Sequence, residues 1–225
     1  MTDFLIGDFR LLRPVLLDLC NTLEPALRSR TRRSNPVPPH VQVLSALGFL
    51  TIGAFQRELG DRVGISQPSI SRSLQRVVNG IVQLVPDYIC FPYGEQEEIP
   101  VKRAFYAIAG LPNTIGAIDY THVHIKAPSP NPFPYLNGKR YHSINVQIIC
   151  DAQYHLLNVV SHIPGGDRGY ALAPWLMTPL TNPQKEQEVA YNERHARTRS
   201  TVERSIGLLK GRWMCLDAAG GKIGT

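Results

Sequence analysis

Apolar residues in the first third of the chain recur at intervals of three and four, the spacing that predicts amphipathic helices. The pattern predicts helices over residues 9–27, 40–50 and about 54–62, and Gly64 ends the third of them. From residue 113 the period falls to two, which predicts strands instead. The apolar stripe of the first helix consists of Leu12, Leu16, Leu19 and Leu23.

A fourth helix begins soon after Gly64, and its two faces differ. Ser66 fits the N-cap position, and Pro68 fits the first turn. Two interpretations remain open: a helix-turn-helix whose second helix reaches base edges and phosphates of DNA, or a plain helical hairpin in an all-α domain. The predicted buried stripe is Ile70, Leu74, Val77 and Ile81. The candidate DNA-binding residues on the exposed face are Gln67, Ser69, Ser71, Arg72 and Arg76.

The second half of the chain predicts a β-meander followed by a helix. A short helix over 101–112 precedes an opening strand within 113–128. Two further strands, over 142–151 and 154–163, alternate apolar and polar residues and complete a three-stranded meander. An apolar stripe predicts the last helix over 198–216. The fold class is therefore mixed α and β (α+β), with a helical region ahead of a sheet-containing domain.

Asp119 is the one acidic residue in the opening strand. Alternation places it on one strand face with Thr121 and Val123, and places Ile118 and Tyr120 on the other. A carboxylate among apolar residues is costly to bury unless it is paired or binds a metal. The alternative is an Asp at the edge of a strand that faces water.

Charge and cysteine content narrow the classes of protein. The formal net charge is +6 and the pI is near 9.3, which suits a polyanion such as nucleic acid as a partner. The four cysteines form no CxxC pair, so neither a zinc ribbon nor a disulfide framework is indicated, and reduced thiols in an intracellular compartment are expected. No apolar run is long enough for a membrane span, and the acidic N-terminus is unlike a signal peptide.

A basic, proline-rich connector occupies residues 28–39. It could contact the DNA backbone, form part of a nuclear-import signal, or be a solvated loop. Its candidate DNA-binding residues are Arg30, Arg32 and Arg33.

Three acids have contexts that suit metal-dependent phosphodiester cleavage. Such cleavage needs two or three carboxylates from separate elements to hold two divalent cations, which activate water and stabilise the leaving oxygen. Asp119 lies in the opening strand, Asp167 lies in a glycine-rich loop, and Glu203 borders the apolar stripe of the last helix. Lys126 and Lys210 are candidates for phosphate contact. By spacing alone the triple is weak evidence, because 18 acids allow many such sets.

Several long motifs carry a family resemblance. They are VQVLSALGFLTIGAFQRELGDRVGISQPSISR, FYAIAGLPNTIGAIDYTHVHIKAP, LNGKRYHSINVQIICD, GDRGYALAPWLMTPL and YNERHARTRSTVERSIGLLKGRW. With them the chain resembles the PIF/Harbinger DDE transposases and the nucleases derived from these transposases in animals. The resemblance implies an RNase H-like catalytic domain behind a helix-turn-helix region. It also implies that Asp119, Asp167 and Glu203 are the DDE residues and metal ligands.

The same resemblance implies a divalent cofactor, Mg²⁺ or Mn²⁺, and DNA as the substrate. It further implies a Myb-like DNA-binding partner protein, a location in the nucleus and also the cytoplasm, and compatibility with a homo-oligomer. On this basis the chain divides into an N-terminal helix with connector (1–39), a helix-turn-helix-like domain (40–90), a linker with a short helix (91–112), an incomplete nuclease domain (113–217) and a tail (218–225).

Two departures from the family pattern separate two functions. The family carries a further acidic segment, a helix and a strand where Gly165 here meets Gly166 directly, and it continues past the last helix with more helical sequence. Catalytic geometry tolerates errors of only about 1 Å, so Asp167 loses support. The first function is a metal-dependent DNA endonuclease that does not transpose autonomously. The second is a catalytically inactive DNA- or partner-binding remnant.

Overall fold

The structure is a computed structural model, and it describes residues 10–29, 36–53, 56–166 and 175–217. The described chain forms two compact units. The first contains the described residues up to Tyr88 and returns from Lys210 onward, and the second runs from Ile89 to Leu209. No described helix is long and apolar enough to cross a membrane.

Helices make up the first unit. They are α1 (Arg13–Leu27), α2 (Pro39–Ile52), α3 (Gln56–Val63) and α4 (Gln67–Tyr88), with a short 3₁₀ helix at Met214–Leu216. Proline lies in the first turn of both α1 and α2, where its missing N–H costs nothing. The four predicted helices therefore exist, and their ends move by a few residues.

The core of the first unit joins α1, α2 and α4. Leu23, Leu27, Val43, Leu47 and Val77 are almost inaccessible to solvent. One residue of the predicted stripe is wrong, because Leu12 precedes α1 and is 71% exposed. The stripe instead extends toward the C-terminal end of the helix, where α1 packs on its neighbours.

A tight turn connects α3 to α4. Gly64 adopts a left-handed conformation with φ of 73°, which a glycine tolerates without strain. The carbonyl of Gly60 accepts hydrogen bonds from the amides of Gly64 and Ile65, at 2.8 and 3.1 Å. A Cβ on Gly60 would come within 2.6 Å of the Ile65 carbonyl oxygen, so the turn can close this tightly only with glycine at that position.

The second unit contains an antiparallel sheet and two helices, so the predicted mixture of α and β is confirmed. The strands are β1 (Ala117–His124), β2 (Ser143–Cys150) and β3 (Leu156–Pro164), in the order β1-β2-β3. The predicted three-stranded meander is thus also confirmed. Between β1 and β2 a short 3₁₀ helix forms at Phe133–Tyr135.

Both helices of the second unit begin earlier than their apolar patterns predict. Helix α5 covers Glu95–Ala109. Three glutamates in its first turn stabilise the helix, because their negative charges lie at the positive, N-terminal end of the helix dipole. Helix α6 covers Glu186–Arg212, so its first turns lie in sequence that the pattern left outside a helix. The missed turns are polar and largely solvent-exposed, and hydrophobic periodicity carries no signal there.

The core of the second unit lies between the sheet, α5 and α6. Phe105, Ile148, Cys150 and Val202 are buried there, with Ala117 beside them. Burial raises the pKa of the Cys150 thiol to about 11, so this cysteine is a neutral core group. Val202 of α6 shares this cluster with Ala117 of β1, and beside it Arg199 of α6 contacts Asp119 of β1.

Candidate active site

Asp119 and Glu203 both lie at the border of the core of the second unit, and each contacts Arg199. In β1, Asp119 pairs in register with Ile148, which is buried against α6. In α6, the residue before Glu203 is Val202, which is completely buried in the same cluster. Because each acid neighbours a core residue, packing places both carboxylates on one side of the second unit.

Arg199 connects the two carboxylates. Its Nη2 atom lies 3.0 Å from Asp119 Oδ2 and 3.2 Å from Glu203 Oε1. The other oxygen of Asp119, Oδ1, accepts the amide of Tyr120 at 2.9 Å. The Asp119 side chain is 21% exposed, whereas those of Arg199 and Glu203 are 49% and 54% exposed. Asp119 is therefore the fixed member of the group, and Glu203 borders open solvent.

The shared nitrogen marks a position that favours positive charge. Two carboxylate oxygens from separate elements converge on one atom, and a cation at that place gains attraction from both. Oxygen donors of this kind are the ligands that Mg²⁺ and Mn²⁺ prefer. The two carboxylates are therefore oxygen donors of the kind that a divalent cation takes, and in this structure the guanidinium of Arg199 lies between them.

The third candidate acid, Asp167, lies outside the described residues. Within the described ranges no group of three or more His, Cys, Asp and Glu side chains is arranged to hold a metal. What the structure brings together is a pair of acids and one arginine. Asp167 as a ligand stays a prediction.

A cavity of about 590 Å³ adjoins Asp119 and Arg199. The chain leading into β1 forms one side of it, α6 contributes Thr198 and His195, and the segment 175–179 closes another side. Most of the lining is apolar, including Leu111, Ile115 and Leu176. Its volume falls within the range of small-molecule sites.

Side chains of α6 hold the segment after residue 174 against the helix. His195 Nε2 donates to the carbonyl of Met177 at 3.0 Å, and the Tyr191 hydroxyl donates to the carbonyl of Thr178 at 3.1 Å. Asn192 makes a pair of hydrogen bonds with the backbone of Leu180, at 2.8 and 2.9 Å. This wall of the cavity is therefore fixed by four hydrogen bonds to one helix.

The candidate DNA-binding residues have different surroundings. In α4, Gln67, Ser71 and Arg72 are exposed, and Arg72 donates to Ser69 Oγ at 3.2 Å. Arg76 instead donates to the carbonyls of Ala26 and Arg28 at the end of α1, at 3.0 and 3.4 Å, and so stabilises that helix end. The three candidate arginines of the basic connector, Arg30, Arg32 and Arg33, lie outside the described residues.

The two candidate phosphate contacts belong to different units. Lys126 is exposed just after β1 in the second unit. Lys210 is partly buried near the end of α6, and it belongs to the first unit. Phosphate contact by Lys126 and by Lys210 stays a prediction.

Sequence reasoning missed Arg199 and Trp175. Arg199 lies four residues before Glu203 on one helix, which is the spacing of an ion pair, so the pattern held a usable signal. Trp175 stands inside a quoted motif but carries no periodicity, and its 74% exposure becomes known only from the structure.

Comparisons with known proteins agree with the family resemblance. Residues 162–223 match the family model described as DDE superfamily endonuclease. The proteins named "Putative nuclease HARBI1" of Rattus norvegicus and Homo sapiens are each 34% identical to this chain, over 98% of it and 71% of their own length. "Protein ALP1-like" of Arabidopsis thaliana is 25% identical over 87% of this chain and 58% of its own length. No solved structure matches.

The alignment with the animal nucleases also bears on the missing segment. It extends over 249 positions, more than the 225 residues of this chain. The relatives therefore have residues at positions where this chain has none. This agrees with an internal gap, and its place between Gly165 and Gly166 stays a prediction.

Proposed function

Because this chain belongs to the PIF/Harbinger family of DDE transposases and transposase-derived nucleases, we propose that it is a divalent-metal-dependent DNA endonuclease. It hydrolyses phosphodiester bonds and does not transpose autonomously. Asp119 and Glu203 are two of its metal ligands, and Asp167 is the third. DNA is the substrate, and Mg²⁺ or Mn²⁺ is the cofactor.

One observation carries the proposal: a single nitrogen of Arg199 contacts both carboxylates, at 3.0 and 3.2 Å. Two acids that come from a strand and a helix, 84 positions apart in sequence, share one place for positive charge. An exposed ion pair would need only one of these acids. The convergence supports a cation site at the position where the guanidinium of Arg199 lies.

The residues have separate tasks in the proposed reaction. Bound divalent cations supply the activation of water and the neutralisation of charge on the leaving oxygen. Asp119 keeps a fixed orientation because the Tyr120 amide holds its second oxygen. Glu203 is more exposed and can adjust as a ligand enters. Arg199, the cationic side chain beside these two acids, would bind an oxygen of the scissile phosphate through its guanidinium.

The direct test is cleavage of duplex DNA with Mg²⁺ or Mn²⁺ by the wild type and by Asp119→Ala and Glu203→Ala. Glu193→Ala is the matched control, because Glu193 is an exposed acid on the same helix. We expect both site variants to lose metal-dependent cleavage and to bind Mn²⁺ more weakly in calorimetry, while the control keeps both properties. Equal, metal-independent background from all four proteins would refute the nuclease.

A DNA- or partner-binding protein without catalytic activity is the second candidate. The exposed polar residues at the start of α4, after the tight turn from α3, favour it, as do the residues that the relatives have and this chain lacks. For this function DNA affinity should fall steeply with salt and weaken in Arg72→Ala. Arg76→Ala is less informative, because Arg76 also holds the end of α1.

The remaining parts of the proposal concern the surroundings of the protein. We place it in the nucleus and also in the cytoplasm, with a Myb-like DNA-binding protein as its partner. The helix-turn-helix interpretation of α3 and α4 and the compatibility with a homo-oligomer belong to the same proposal. Co-precipitation and microscopy of the tagged chain test the partner and the location.

A further inference from the structure

We propose that the cavity beside Asp119 receives one unstacked nucleobase of the DNA, next to the phosphate that is cut. The inference rests on the proposed nuclease function and names how that site holds its substrate. The cavity is continuous with the candidate ligands, since Asp119 and Arg199 are among its lining residues. A group bound there lies within reach of the carboxylates.

The lining has the chemistry of a base-binding site. Leu111, Ile115, Ile118 and Leu176 provide apolar surface for a flat ring. Thr114 also lines the cavity, and only 5% of its surface is exposed. Its Oγ1 atom is buried without a hydrogen-bond partner among the described residues, an unsatisfied state that a polar group of a bound base would relieve.

Trp175 supplies the stacking surface. Its side chain is 74% exposed although it lines the cavity, and the segment that carries it is tied to α6 through the bond from His195 to Met177. An exposed tryptophan beside an apolar cavity offers a flat stacking surface, and every base offers a π face. At about 590 Å³ the cavity excludes a double helix but admits one extruded base.

Electrostatics favour a nucleotide over an apolar peptide. Arg199 lies at the edge of the cavity, and its guanidinium can bind the phosphate that follows the base. An extended peptide strand offers only neutral carbonyl oxygens there, which bind a guanidinium more weakly than a phosphate does. The same arrangement explains why the apolar surface ends beside a carboxylate pair, where the sugar-phosphate backbone has to pass.

The test measures DNA binding without cleavage. The complete chain is titrated, with Ca²⁺ replacing Mg²⁺, against a duplex with a short single-stranded 3′ tail and against the same duplex with blunt ends. Trp175→Ala is compared with Phe133→Ala, because Phe133 is an equally exposed aromatic residue of the same unit outside the cavity. A tail with 5-iododeoxyuridine is then cross-linked by light, and the modified residue is mapped by mass spectrometry.

We expect Trp175→Ala to raise the Kd for tailed DNA about tenfold, while Phe133→Ala stays within about twofold. The blunt duplex should distinguish neither variant from the wild type, and the cross-link should map to Trp175. An unchanged Kd in Trp175→Ala, or a cross-link confined to other residues, would overturn the base site and favour a peptide in the cavity.

The two proposals fail differently. Tail binding that depends on Trp175 without any metal-dependent cleavage would reject the nuclease and retain the base site. Cleavage that requires Asp119, with a tail affinity indifferent to Trp175, would reject the base site alone.

Discussion

Arg199 offsets part of the negative charge that Asp119 and Glu203 bring to the candidate site. Asp119 and Glu203 would repel each other across the space that one nitrogen now fills, and the guanidinium removes that repulsion. The three side chains are between one-fifth and about half exposed, so water screens their attraction. The contribution to stability is therefore modest, and under the proposed function the guanidinium would compete with a metal for the same oxygens.

This competition leads to a prediction for Arg199→Ala. Without metal the variant should lose about 1 kcal/mol of stability or less, since the side chains of Arg199 and Glu203 are about half exposed. Mn²⁺ should then raise its melting temperature more than that of the wild type, because no side chain has to be displaced. Thermal unfolding with and without Mn²⁺ measures both effects.

Arg194→Ala is the control, since Arg194 is an exposed arginine earlier on the same helix. Arg199→Lys should fall between the wild type and Arg199→Ala, because lysine keeps the charge but presents a single nitrogen. An identical Mn²⁺ response in all of these proteins would show that Arg199 does not stand in the metal position.

At the scale of elements, sequence patterns located most of the fold but misjudged where some helices begin. The three strands alternate over a half-buried sheet, so period two was visible, and the short connection from β2 to β3 indicated that these two strands pair. The first turns of α6 are mostly exposed and carry no apolar stripe, so nothing in the periodicity marked Glu186 as a helix start. The approach of Asp119 to Glu203 depends on packing between β1 and α6, which no local pattern encodes.

The start of α6 should respond to pH. Glu188 accepts hydrogen bonds from the amides of Gln184 and Lys185, and these bonds lower the pKa of its carboxyl group. A lowered folded-state pKa gives stability that is present above the unfolded pKa and lost as the pH falls through the folded one. Glu188→Gln should therefore be less stable than the wild type at neutral pH, and the difference should vanish in acid.

Thermal melts of both proteins from neutral to acidic pH measure this difference. Glu193→Gln removes a charge from the same helix without such bonds and should show no comparable convergence. A stability difference for Glu188→Gln that stays constant with pH would contradict the assignment.

The turn between α3 and α4 should be sensitive to a single methyl group. Gly60→Ala brings Cβ to 2.6 Å from the Ile65 carbonyl oxygen, a backbone atom that cannot move alone. We expect a loss of about 1–3 kcal/mol, as for overpacked sites. Gly207→Ala is the matched change, because a Cβ there meets nothing within 4 Å, and it should gain about 0.5–1 kcal/mol. Denaturant unfolding measures the free energy of unfolding of both variants. Equal changes at the two positions would refute the close contact at Gly60.

At the scale of the molecule, the family was visible in the sequence, but the working state of the site was not. Long motifs identified the DDE family, and the comparisons confirm it. Whether Asp167 completes the site depends on how the chain runs after Gly166. The Gly165 amide bonds to the Ser143 carbonyl and the Gly166 amide to the Pro134 carbonyl, so the junction itself is held in the described part of the chain.

Restoring the missing residues should therefore improve metal binding. We predict that inserting the corresponding segment of the Rattus norvegicus relative between Gly165 and Gly166 raises Mn²⁺ affinity at least about tenfold, because a further acidic ligand and its support return. Calorimetry with Mn²⁺ measures the change. A glycine-serine insert of equal length is the control, and similar affinity for both inserts would contradict the gap as the cause.

The bridge formed by Arg199 also concerns how the protein endures the loss of its cofactor. With Arg199 between them, the two carboxylates leave one net negative charge at the site instead of two, so less repulsion would remain if a bound metal were removed. Under the proposed function, the second unit should therefore keep its packing when the metal is removed by a chelator and added again. Metal depletion would store this protein intact, ready for use when the ion returns.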